Sequence, residues 1–241
     1  MSRVNDRKGR TLKTALVTGA SRGLGFALAR GLAEQGWGLV IDARDRDALE
    51  KAAAELARLT EVRAVPGDVT DEDHRLSLVS AVDSLGRLDA LVNNAGVLGP
   101  SPPPPLLELS LDALREVLEV NMLAPLRLFQ MTASRLEAAR GCLLNVTSEA
   151  AVEAFEGWGG YGSSKAALEH ITRVIAREHP GLDVYWIDPG DLNTRMEQEG
   201  FPDQDVSDRP APAACVPAFL DLLERRPPSG RYRAAERLAL S

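Results

Sequence analysis

The stretch Y-G-S-S-K, residues 161–165, places a phenol and an ammonium four positions apart with only small residues between them. Four residues make about one helical turn, so on a helix both side chains leave the same face, one above the other. A phenol beside an ammonium is made more acidic, and a tyrosine that exchanges protons near neutrality can serve as a general acid or base. Such a pair also arises by chance on a long helix, Tyr161 then being a core side chain and Lys165 a solvated charge. Whether the two do more depends on what else the chain carries.

A second chemical pattern is T-G-A-S-R-G-L-G, residues 18–25. Glycines in a strand-to-helix turn let the backbone curl tightly and bring amide N–H groups against a dinucleotide pyrophosphate, helped by the N-terminus of the next helix. Gly19, Ser21, Arg22, Gly23, Leu24 and Gly25 are therefore candidate cofactor contacts, although the spacing is G-x-x-x-G-x-G rather than G-x-G-x-x-G. Further on, the chain offers both Asp42 and Arg44. An acid after the second strand would bind the ribose 2′-hydroxyl of NAD, and an arginine would accommodate the 2′-phosphate of NADP. Arg44 and Arg22 together favour NADP through charge-assisted bonds; were Asp42 to meet the ribose, NAD would be preferred.

The elements that must position these residues alternate. Short apolar runs at residues 14–18, 38–42, 88–92 and 142–147, with E-V-R-A-V and D-V-Y-W-I-D, read as strands. Helical patterns lie between them, at residues 24–35, 45–59 and from about 110 through 121, with Thr70 as an expected N-cap and Pro125 as a kink or divider. A long helix is expected over residues 161–177 and another over 213–225. Strands alternating with helices imply a parallel sheet covered on both faces, so the expected architecture is one doubly wound α/β domain. It would span residues 12–241 behind a loose polar tail at 1–11, with the proline- and aspartate-rich residues 195–212 as a substrate lid.

Composition narrows the function classes. The chain has 241 residues, 44% of them hydrophobic, and a net charge of −7. It has no long block of like charge, so a nucleic-acid or anionic-membrane surface is not expected. No run reaches the roughly 18 apolar residues of a membrane span, and no signal peptide is expected. Cys142 and Cys215 are the only cysteines and are expected to be reduced and packed. His74, His170 and His179 are widely spaced, with no metal-binding pattern. A cytoplasmic protein without a metal is the expectation.

With the glycine turn and Tyr161/Lys165 placed, residues 12–195 resemble the short-chain dehydrogenase/reductase family. N-N-A-G at 93–96 and G-D-V at 67–69 follow the fourth and third strands, where that family has the same residues beside its cofactor. Asn121 in V-N-M-L-A-P, Ser148 thirteen residues before Tyr161, and D-P-G-D-L-N-T at 188–194 complete the match. The resemblance implies cofactor contacts from Asp68, Val69, Asn94, Ala95, Gly96, Pro189, Gly190 and Thr194, besides Tyr161 and Lys165. It implies a catalytic set of Asn121, Ser148, Tyr161 and Lys165. Tyr161 would pass a proton to a carbonyl oxygen as hydride arrives, or take it from an alcohol in reverse. Ser148 would fix that oxygen, Lys165 would also hold the nicotinamide ribose, and Asn121 would hold a water.

The resemblance thus implies an NADP(H)-dependent oxidoreductase acting on a small-molecule ketone, aldehyde or alcohol, with NAD(H) possible. An NAD-linked alcohol dehydrogenase and a non-catalytic nucleotide-sensing protein are the alternatives. Toward the end the match weakens. S-G-R-Y is followed by charged residues and not by the family's D-G-G, so a homodimer is expected and the tetramer is left open. Asp188 stands where a neutral residue is more usual. Phe155 and Trp158 are candidate pocket walls. Glu149, Glu153, Glu197, Glu199, Asp203 and Asp205 weigh against an anionic substrate.

Overall fold

In a computed structural model, residues 12–239 are described, and the tail expected over residues 1–11 lies outside them. Strand β1 is Thr14–Val17, β2 Gly38–Ala43, β3 Val62–Pro66, β4 Ala90–Asn93, β5 Cys142–Val146, β6 Asp183–Asp188 and β7 Gly230–Arg233. They form one sheet in the order β3-β2-β1-β4-β5-β6-β7, with every neighbouring pair parallel. Parallel sheets are covered on both faces, so their inner strands read as continuous apolar runs. The fully buried T-A-L-V and C-L-L-N-V are such runs.

Successive side chains on a strand point to opposite faces, and each face has its own core. Ala15, Val17, Leu39 and Ile41 pack on one side with α1 (Gly23–Glu34) and Phe219 of α8 (Val216–Arg225). Leu16, Val40, Leu91 and Leu143 face the other way, against α3 (Glu72–Leu85), α5 (Ala124–Ala139) and α6 (Gly159–Glu178). The chain leaves β1 toward β2 on one side and reaches β4 on the other. That reversal of strand order opens a crevice at the carboxyl ends of the central strands, the place where such sheets bind ligands.

The helices begin and end for local reasons, and several differ from the sequence expectation. Asp45 caps α2 (Arg46–Leu56) by accepting the Ala48 N–H at 3.0 Å. Thr70 does not cap α3. Asp71 does, through Asp73 N–H, while Thr70 donates its own N–H and hydroxyl to Asp68. Helix α4 (Leu111–Leu118), capped by Ser110, passes into a π-helical turn at Glu119–Leu123, and Pro125 lies in the first turn of α5. Pro125 thus stands where the π turn passes into α5 and divides the two helices, one of the two roles expected of it. The segment 195–212, expected as a lid, begins with a short helix, α7 (Arg195–Gly200), capped by Thr194. The last strand, β7, leads into α9 (Ala234–Leu238). Cys142 and Cys215 are both buried and free.

Candidate active site

The crevice is a cleft of about 1600 Å³. Its lining includes the glycine turn, Arg44, Asp68, the 94–96 segment, Ser148, Tyr161, Lys165 and the 189–194 segment, so the topology brings nearly all of the sequence-predicted residues together. Asn121 is the exception in character: it is fully buried behind the wall.

At the glycine turn, Gly19 and Gly23 have φ of +67° and +57°, a region where a side chain is strained. A Cβ on Gly25 would come within 2.3 Å of the Gly19 carbonyl oxygen. Asn94 closes the turn from the β4 side, donating its side-chain amide to the Thr18 oxygen at 2.9 Å. Arg22, the N-cap of α1, makes no side-chain cap, and the first turn holds no acid. The amides of that turn therefore keep their capacity for an anion, as a dinucleotide phosphate requires.

The two side chains offered for the ribose part company. Asp42 is completely buried. One carboxylate oxygen accepts the Gly19 N–H at 2.8 Å, and the other meets His74 Nε2 at 3.0 Å. Burial pushes its carboxyl up, against the lowering effect of those two bonds. Asp42 thus braces the glycine turn from beneath. Its partner His74 is buried on α3 against Gly67, where a Cβ would lie 2.2 Å from the ring. Arg44 lines the cleft. Burial would raise the nearby Asp68 carboxyl, but the bonds from Thr70 and the Arg44 guanidinium outweigh it and hold it low. Arg22 stands at the rim, 3.3 Å from Asp45 and half exposed.

On the opposite half of the sheet, Ser148 follows β5 and accepts the Ala150 N–H at 3.2 Å. Its hydroxyl stands near enough to the Tyr161 phenol to favour the phenolate. Lys165 Nζ donates to the Val146 carbonyl at 2.9 Å and lies 5.6 Å from the centre of the Tyr161 ring. Helix α6 therefore presents Tyr161 and Lys165 on one face, as their spacing predicts. The expected acid shift is not what this geometry alone produces. Burial pushes the Tyr161 phenol up to about 12, with Asp188 adding to the rise against the lowering effect of Ser148, and lowers Lys165 to about 8. An ammonium turned toward a backbone carbonyl does not offset the desolvation of a buried phenol.

The Asn121 side chain is held from two directions. Its amide nitrogen donates to the Val97 carbonyl and Ser164 Oγ, each at 2.9 Å, and its oxygen accepts the Val97 N–H at 2.9 Å. The side chain staples the segment after β4 to α6. Trp158 packs edge-on against Tyr161 with ring centres 5.7 Å apart, and against Phe201 at 5.4 Å. Phe155 also lines the cleft, but nearly half exposed. Of the acids at the mouth, Glu149 pairs with Arg233, Glu199 with Arg195 and Glu197 with Arg209.

A seven-stranded parallel sheet with a glycine turn at its switch point defines a Rossmann-type dinucleotide cleft. The family model for short chain dehydrogenase matches residues 13–205, and the chain belongs to that family, whose members are oxidoreductases acting on CH–OH groups and binding NAD(P). It is 38% identical over 193 residues to 1-deoxy-11-beta-hydroxypentalenate dehydrogenase of Streptomyces exfoliatus, covering 77% of this chain and 70% of that one. It is 32% identical to gluconate 5-dehydrogenase of Gluconobacter oxydans, covering 93% and 83%. A short chain dehydrogenase from Escherichia coli CFT073, complexed with NADPH, superposes with a TM-score of 0.85 at 28% identity over 96% of this chain and 97% of that one.

Proposed function

We propose that the protein is an NADPH-dependent reductase of a ketone or aldehyde, or the corresponding alcohol dehydrogenase in reverse, with Tyr161 as its general acid and base. The observation that carries this reading is the convergence of Ser148, Tyr161 and Lys165 on one wall of the cleft that also holds the glycine turn. Bound NADPH would supply the hydride. Ser148 donates to the substrate oxygen and aims it. Tyr161, protonated in this buried setting, gives that oxygen its proton. Lys165, one turn along the same face of α6, would hold the ribose hydroxyls and supply positive charge beside the phenol. The amides of the glycine turn and the first turn of α1 would hold the pyrophosphate, and Arg44 would meet the 2′-phosphate. The engagement of Asp42 with Gly19 and His74 supports NADPH over NADH, since the one acid offered for a ribose hydroxyl is already bonded.

Trp158, Phe201 and Met196 along the cleft favour an apolar carbonyl compound, with residues 195–212 as a lid over it. Leu123 and Val174, exposed beside α5 and on α6, support pairing of two copies through those helices. The sensor reading has less support, since a protein that only binds nucleotide needs none of the three converging side chains.

The test is consumption of NADPH and NADH, side by side, against ketones, aldehydes and quinones across a range of pH. Reduction needs a protonated phenol and a charged Lys165. With Tyr161 near 12 and Lys165 near 8, the reductive rate is flat up to about pH 8 and falls above it as Lys165 loses its proton. Alcohol oxidation needs the phenolate and rises with pH over the same range. Nucleotide binding without turnover of any compound, or a reductive rate that climbs above pH 8, would count against the assignment.

A further inference from the structure

Beneath the Tyr161–Ser148 wall lies a row of charges that the proposed chemistry leaves unused. Helix α6 carries Lys165 and, four residues on, Glu169, whose side chain is only 4% exposed. Glu169 Oε1 accepts the Thr147 hydroxyl at 2.8 Å and Arg231 Nε at 2.9 Å. Arg231 enters from β7, where it is in register with Trp186 of β6. Its Nη2 donates to the main-chain carbonyl of Ser148 at 3.1 Å and approaches Asp188 Oδ2 at 3.4 Å. Asp188 is 5% exposed, and its other oxygen accepts the Gly190 N–H at 3.0 Å. One guanidinium thus ties together the serine, the acid at the end of β6 and the acid below the lysine.

We propose that Arg231 is a positioning residue for the reaction: it fixes the Ser148 backbone and neutralises Asp188 and Glu169 behind the phenol. This rests on the reading of Tyr161 as the acid and base. Up to about pH 8, while Lys165 keeps its proton, Lys165 and Arg231 balance Glu169 and Asp188; above it Arg231 is the cation left in the row. Without Arg231 the row carries one more uncompensated negative charge, and a buried like charge disfavours the phenolate. Asp188 already acts on Tyr161 in that direction. The other charges near the cleft mouth include Glu149 with Arg233, Glu197 with Arg209, Glu199 with Arg195, and Glu116, Glu156 and Asp191. They are unaltered by substitutions at Arg231 or Asp188. An arginine suits this role because its planar fork reaches two carboxylates and a carbonyl at once, which a lysine cannot.

The test follows the Tyr161 phenol directly. With tyrosine labelled at the ring carbon that bears the hydroxyl, Tyr161→Phe identifies the resonance, and its titration is read by NMR with NADP bound. The pH profile of alcohol oxidation is measured in parallel. Arg231→Met raises the titration midpoint by about one unit, a tenfold loss of phenolate at fixed pH. Asp188→Asn keeps an acceptor for Gly190 and lowers the midpoint. Adding it to Arg231→Met brings the midpoint back. Arg231→Lys keeps the midpoint near that of the parent while kcat falls more than KM changes, because the serine is less firmly aimed.

A purely structural arginine would lower stability without moving the titration. An unmoved midpoint in Arg231→Met, or no return in the double variant, would overturn the proposal. If Arg231→Met does not fold, Asp188→Asn decides alone, a lowered midpoint supporting the proposal and an unchanged one refuting it. The resonance needs no turnover. A protein that reduces nothing but whose phenol still responds to Arg231 refutes only the function, and an active enzyme with an indifferent phenol refutes only this inference.

Discussion

Tyr161→Phe lowers turnover by about 10²–10⁴-fold, the usual contribution of a positioned acid or base, and leaves NADPH affinity and the unfolding midpoint close to those of the parent. The substitution removes one oxygen and nothing else. The ring is 9% exposed and keeps its edge contact with Trp158 and its place over Lys165. Ser148 keeps the Ala150 N–H, so its backbone does not lose its anchor. Steady-state kinetics, cofactor titration and thermal unfolding on the same preparation separate the two contributions. A variant that still reduces substrate at more than about a tenth of the parental rate would mean that the proton comes from another group or from solvent.

The second large effect concerns Arg44. Arg44→Ala weakens NADPH binding by about 10–100-fold, the range for losing one or two hydrogen bonds to a charged phosphate, and changes NADH binding little. The asymmetry is the informative part, because only one of the two cofactors carries the 2′-phosphate. Arg22 softens the loss only partly, since it shares its guanidinium with Asp45. Equal weakening of both cofactors would show that Arg44 supports the fold of the rim instead of reading the phosphate, and the preference for NADPH would then lack its carrier. Fluorescence or calorimetric titration with each cofactor settles the difference without any substrate.

Much of the architecture was legible in the sequence because it is written in short-range patterns. The run T-A-L-V is apolar throughout because a central parallel strand is buried on both faces, and the same holds for C-L-L-N-V. The turn at 18–25 needs glycine for conformations and clearances that nothing larger allows. Tyr161 and Lys165 share a face because four residues make a helical turn. These signals lie within a few residues of one another, so no knowledge of chain path is required to see them.

Other features depended on which strands become neighbours. Asp42 and Arg44 are two residues apart and look equally available in the sequence. Only the approach of α3 shows that Asp42 is already engaged, by bringing His74, 32 positions away, to its carboxylate. Asn121 matches a family position, but the sequence does not show that its amide binds Val97 and Ser164 on α6, the latter 43 residues distant. Asp188 stood out only as an unexpected acid. Its partner Arg231, 43 residues later, meets it because β7 lies beside β6. The acidity of Tyr161 belongs to the same class. The sequence by itself determined that a phenol and an ammonium share a helix face. The tertiary structure decided how deeply both are buried and where the ammonium points, and desolvation is a property of the assembled core, not of any local run of residues.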